Sequence, residues 1–105
     1  MPLTFGQMIA DARKETGLSQ KDLATRLRKE DGSSISPQYL NDVERGRRDP
    51  PSRFILRQLA EELRLPEDYV VFMARELPDD LFEQTHPPET IQAAFKVFRR
   101  TLKGR

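Results

Sequence analysis

Apolar residues recur at helical spacing along nearly the whole chain, and polar stretches rich in glycine or proline separate the repeats. The first stripe is Phe5, Met8, Ile9 and Ala12. Thr4 opens it, with Gln7 three residues on as the reciprocal half of a capping box and Leu3 set to staple against Met8. Gly17 stops it. Leu18 is expected to fill the core before a second helix, Ser19 to about Lys29, with Leu23, Ala24 and Leu27 inward and Asp22 answering the Ser19 cap. A third helix is Ser36–Arg45. Ser36 caps it, Pro37 takes the first helical position, Leu40 and Val43 face inward, and Gly46 ends it.

Asp49-Pro50-Pro51 breaks the chain, because a residue before proline is pushed out of helical space. A fourth helix starts near Ser52, with Phe54, Ile55, Leu59 and Leu63 inward, and Leu65-Pro66 closes it. A fifth covers about Glu67–Glu76 with Tyr69, Val70, Phe72 and Met73 buried; Asp79–Glu83 reads as one further turn and His86-Pro87-Pro88 as a linker. The last helix, Glu89–Lys103, carries Ile91, Ala94, Phe95, Phe98 and Leu102 on one face. Glu89 near its start and Arg99, Arg100 and Lys103 near its end suit the helix dipole. No strand-like alternation and no internal repeat occur, so the expected fold is all-α.

The chain has 105 residues, a size for one domain with a modest core. A mean hydropathy of −0.72 points to a soluble, heavily charged exterior. The longest apolar run, Tyr69 to Ala74, is far short of the roughly 20 residues of a membrane span. The opening MPLTFGQMIADARK reads as a helix, not as a secretory signal. Absence of cysteine excludes disulfides, thiol nucleophiles and thiolate metal sites, and fits the cytoplasm. The single histidine, His86, lies in the proline-rich linker and builds no triad or metal site, and no phosphate-binding glycine motif occurs. Neither catalysis nor a cofactor is expected.

Net charge is only +1, but it is unevenly spread. Residues 1–65 hold twelve basic and ten acidic side chains, 66–89 one and seven, and 90–105 five and none: +2, −6 and +5. Composition alone therefore does not indicate a nucleic-acid ligand. The local cluster Arg45, Arg47, Arg48, Arg53 and Arg57 does, together with the amides that helix three turns outward.

The run ARKETGLSQKDLA, then ISPQYLNDVERGRRDPP, then an amphipathic helix ending ELRLP, resembles the lambda/434 repressor and Cro type of helix-turn-helix domain, the XRE family. The likeness covers roughly residues 5–76. It implies a four- to five-helix DNA-binding domain over 1–76, a C-terminal extension over 77–105, and a recognition helix 36–45 lying in the major groove of double-stranded DNA. Carried over position by position, Gln38 would read adenine bidentately, Pro37 would offer only apolar contact, and Asn41 and Asp42 would face bases. Asp42 would accept from a cytosine amino group, or else partner a nearby arginine. Gln20, Ser36, Tyr39, Arg45, Arg47 and Arg48 would meet phosphates. Arg13 and Glu44 would form an internal ion pair that fixes the recognition helix.

One departure from the family pattern stands out. The family joins its second and third helices by a tight turn around one glycine, whereas Arg28–Ser34 supplies seven residues here. This polar, glycine-containing stretch is expected to be exposed and mobile. It either follows the sugar–phosphate backbone through Arg28 and Lys29 or, the favoured reading, forms a passive loop whose Glu30 and Asp31 cancel those charges.

The resemblance further implies a cytoplasmic, nucleoid-associated repressor that binds a pseudo-palindromic operator as a homodimer. Residues 66–105 have the composition of a dimerisation element in which helix five or the last helix packs on its twin, although the last helix folding back on its own domain is the alternative. A different class of function is a protein-interaction module, antitoxin-like, that uses residues 66–105 on another protein and binds DNA only secondarily.

Overall fold

The computed structural model describes residues 2–104. It contains six α-helices: α1 Phe5–Glu15, α2 Gln20–Arg26, α3 Pro37–Glu44, α4 Arg53–Leu63, α5 Glu67–Met73 and α6 Pro88–Leu102, with one 3₁₀ turn at Asp79–Phe82. No extended strand occurs among the described residues. Serine and threonine caps set the helix starts. Gln7 N–H donates to Thr4 Oγ1 at 3.1 Å while Thr4 N–H donates to Gln7 Oε1 at 3.0 Å. Ser19 and Asp22 repeat the exchange at 3.0 and 3.4 Å. Ser36 Oγ accepts from Tyr39 N–H at 3.0 Å, behind Pro37 at the first helical position. Each cap satisfies donors that the helix itself leaves unpaired.

The core joins α1 to α5. Ile9, Leu23, Leu27, Leu40, Val43, Leu56, Leu59, Val70 and Val71 are fully buried. α1 packs on α3 and α4, α2 on α3, and α4 on α5. Closest approach is at Gly6 in α1, where a Cβ would lie 2.6 Å from the Val43 carbonyl oxygen and nearer still to that of Glu44. Only glycine lets the two backbones meet there.

Several sequence expectations need correction. α2 ends at Arg26, and Leu27 keeps its buried place in extended conformation, with Ile35 beside it in the core. On α4, Leu56 takes the inward position expected of Phe54, which is half exposed. On α5, Val71 joins Val70 in the interior while Tyr69 and Phe72 point outward. The Arg28–Ser34 stretch is exposed, as expected. It is a small hairpin, with an antiparallel bridge from Arg28 to Ser34 and Lys29 N–H donating to Ser33 O at 2.7 Å. Asp31 accepts from the backbone and hydroxyl of Ser33 at its tip, and those bonds hold its carboxyl below the usual carboxylate range. Gln58 on α4 clasps its base, accepting from Arg28 N–H and donating to Arg28 O, both at 2.8 Å.

Candidate nucleic-acid interface

α3 has two faces of opposite character. Leu40, Val43 and Glu44 are buried, whereas Pro37, Gln38 and Arg45 are exposed and Asn41 and Asp42 half exposed. An eight-residue helix is too short to persist on propensity. Its position is fixed by the inward face, and one polar constellation does most of that fixing.

Arg13, projecting from α1, closes a fork on Glu44: Nε to Oε2 at 2.7 Å and Nη2 to Oε1 at 3.1 Å. The third nitrogen, Nη1, donates to the Leu18 carbonyl at 2.9 Å. Gln20, at the first position of α2, donates to Glu44 Oε1 at 2.9 Å and to Asn41 Oδ1 at 3.1 Å. Side-chain exposure is 11% for Arg13 and 5% for Glu44, so the pair is largely withdrawn from water. Three donors on one carboxylate offset its desolvation. The constellation joins α1, α2 and α3 through side chains and so sets the angle at which α3 projects.

The outward residues are also organised. Gln38 Nε2 donates to Asp42 Oδ1 at 3.0 Å. Arg45 Nε donates to Asn41 Oδ1 at 3.2 Å. Beyond the helix end, Gly46 adopts φ +75°, a left-handed conformation that reverses the chain and carries Arg47 and Arg48 back alongside α3. Arg47 and Arg48 lie 4.0 and 3.9 Å from the Asp42 carboxylate. Arg48 also stacks over the Tyr39 ring at 5.3 Å, and burial of that ring raises the tyrosine's pKa. Tyr39, Arg47, Arg48, Asp49 and Pro50 border a shallow hollow of 510 Å³ that continues the polar face.

Pro37, Gln38, Asn41, Asp42, Arg45, Arg47 and Arg48 therefore share one side of the molecule. Ser36 opens the same helix, its oxygen engaged as the cap. Gln20 belongs to the buried constellation through its amide nitrogen. Arg53 and Arg57 do not extend the basic surface, contrary to their neighbourhood in sequence. Arg53 bridges Glu76 at 2.8 Å and Asp79 at 2.7 Å and donates to the Leu77 carbonyl at 3.1 Å; the two carboxylates, Glu76 foremost, raise its pKa further. Arg57 pairs with Glu67 at 3.5 Å. Both tie α4 to the acidic stretch after it.

Sequence reasoning missed Gly6 and Gln58. A glycine interrupting an otherwise helical apolar pattern was the available signal for Gly6. For Gln58 there was none, since its partner Arg28 lies thirty residues away. Among the described residues no group of three or more histidine or acidic side chains is placed to hold a metal ion. No described helix is long and apolar enough to cross a membrane.

Comparison with known proteins agrees with the fold. The helix-turn-helix family profile matches residues 9–70. No curated protein matches the chain. Among solved structures, the crystal structure of the clp gene regulator ClgR from Corynebacterium glutamicum is similar in fold, with 24% identity and a TM-score of 0.54 over 94% of this chain and 86% of that one.

Proposed function

Because the chain belongs to the XRE-type helix-turn-helix family, a family of DNA-binding transcriptional regulators and not of enzymes, we propose that it represses transcription by binding a pseudo-palindromic operator as a dimer. α3 enters the major groove, with Gln38, Asn41 and Asp42 toward base edges and Pro37 in apolar contact. Arg45, Arg47 and Arg48 meet phosphates, with Ser36, Tyr39 and the α2 start at Gln20 along the same backbone. Its place is the cytoplasm, on the nucleoid, where that ligand is. The observation that carries this reading is the two-faced α3: a polar outer side, with its inner side fixed by the Arg13–Glu44–Gln20 constellation.

The hairpin at 28–34 stays a passive element in this reading. Gln58 holds it against α4, and its Asp31 is turned onto Ser33.

Selection of bound sites from random duplexes at two salt concentrations tests the proposal. A two-fold symmetric site should be enriched. Arg45→Ala, Arg47→Ala and Arg48→Ala each remove one phosphate partner per protomer, two per dimer, and each should flatten the log–log salt slope by about 1.8. Weak, unselective binding at both salts would overturn the proposal. The apolar surface left open after residue 66 favours a second reading, a protein-interaction module, which expects that unselective result.

A further inference from the structure

Asp42 sets a carboxylate on a face whose amides and guanidinium groups suit an anion. Only 20% of its side chain is exposed, against 64% for Arg47 and 59% for Arg48. Three neighbours divide its two oxygens. Oδ1 accepts from Gln38 Nε2 at 3.0 Å and lies 4.0 Å from Arg47 Nη1, while Oδ2 lies 3.9 Å from Arg48 Nε. The backbone adds a further tie, because Arg47 N–H donates to the Asp42 carbonyl at 2.8 Å and so holds the returning chain beside this residue. Arg45 is placed differently. It has no ion-pair partner among the described residues, and its Nε donates to the neutral amide of Asn41 at 3.2 Å. Of the three cations on this face, two share one carboxylate and the third has none.

That division has a consequence on DNA. A phosphate that draws Arg47 and Arg48 away leaves the Asp42 carboxylate with Gln38 alone, in a groove where the duplex displaces water. An exposed ion pair is worth at most about a fivefold factor, so Asp42 biases the two arginines without locking them. The base edge in front of the carboxylate then settles the balance. A cytosine amino group supplies the donor that the arginines withdraw. A guanine O6 or a thymine O4 presents only an acceptor, and the carboxylate facing it goes unpaired. A repulsive element of this kind discriminates by penalising the wrong partner.

Resting on the major-groove reading above, we propose that Asp42 couples phosphate binding to base identity. On arbitrary sequence its carboxylate restrains Arg47 and Arg48. Where a cytosine amino group takes their place, it releases both to the phosphates. Arg45 lies outside this coupling and serves every sequence alike. Asp42 is thus a specificity-determining residue in two ways, through the base it accepts from and through the arginines it withholds.

The test compares the full chain with Asp42→Asn, which removes the charge at nearly constant shape and keeps the backbone bond to Arg47; Asp42→Ala is the second variant. Circular dichroism melts verify that both fold. Affinity is measured at one salt concentration for the duplex that the parent selects from a random pool and for an unselected duplex of equal length. The parent's selected sites should carry cytosine at one position of each half-site, and Asp42→Asn should relax that position. The variant should bind the unselected duplex about three- to fivefold more tightly and the selected one about fivefold or more weakly, so that the specificity ratio falls by about fifteenfold or more. Arg48→Ala should cost less on the unselected duplex in the parent than in the Asp42→Asn background, by up to about fivefold, whereas Arg45→Ala should cost the same in both. A specificity ratio within about twofold of the parent's overturns the coupling and leaves operator binding standing. Equal tightening on both duplexes also overturns it, by reducing Asp42 to a general repulsive charge. A parent that selects no site at all removes the major-groove reading, and the coupling with it.

Discussion

Replacing Arg13 by methionine should be among the most damaging single changes in this protein. It leaves the Glu44 carboxylate, 5% exposed, with only the Gln20 amide where it had the guanidinium fork as well. An exposed ion pair is worth less than about 1 kcal/mol. Breaking a buried one strands a charge and costs about 3–5 kcal/mol, against a total stability of about 5–15 kcal/mol. For a domain of this size the midpoint of thermal unfolding should fall by roughly 12–40 °C. Far-UV circular dichroism melts at neutral pH measure it directly. The companion double variant, Arg13→Met with Glu44→Leu, removes both charges and should return to within about 2 kcal/mol of the parent, since well-packed apolar residues commonly replace a buried pair at little cost. Its affinity for DNA should stay low even so, because α3 loses the link that sets its angle. A single variant that melts within a few degrees of the parent would refute the reasoning, by showing that water reaches the pair. A double variant as unstable as the single one would refute it differently, by placing the cost in packing and not in charge.

Two further outcomes are expected. Gly6→Ala adds a methyl group 2.6 Å from the Val43 carbonyl oxygen; overpacking of about 1–3 kcal/mol outweighs the roughly 1 kcal/mol gain in helix propensity, so the urea midpoint should fall with an unchanged m-value. Asp22 has its pKa lowered first by the Ser19 hydroxyl and then by the Ser19 backbone N–H. A depressed folded pKa contributes stability that is present above the ordinary carboxylate value and lost as pH falls through the lowered one. Ser19→Ala should therefore bring the Asp22 carboxyl up toward its ordinary value in an NMR titration, and the acid limb of the stability curve should flatten. No movement of that titration would show that the capping exchange does not hold Asp22.

The chain's own order of residues determined the helix starts, the inward stripes of α1 and α3, the polar outer face of α3 and the family likeness. These depend on interactions within about four residues: a serine hydroxyl reaching a backbone amide three positions on, or apolar groups one turn apart. Where a helix packs on one side only, periodicity also names the buried residues, as Leu40 and Val43 illustrate. Phase was ambiguous for α4 and α5, because apolar residues occupy more than one face. The tertiary fold buried Leu56 and Val71 and left Phe54, Tyr69 and Phe72 outside. Tertiary structure alone decided which carboxylate each arginine faces. Arg47 and Arg48 swing alongside α3 after Gly46, beside Asp42, while Arg53 and Arg57, equally basic and close in sequence, lie against Glu76, Asp79 and Glu67. It also decided that the hairpin at 28–34 is held by Gln58, and that α6 keeps its apolar stripe uncovered. Such outcomes depend on which surfaces meet across thirty or more residues, and on charges that attract whatever folding brings near them. No local spacing encodes that.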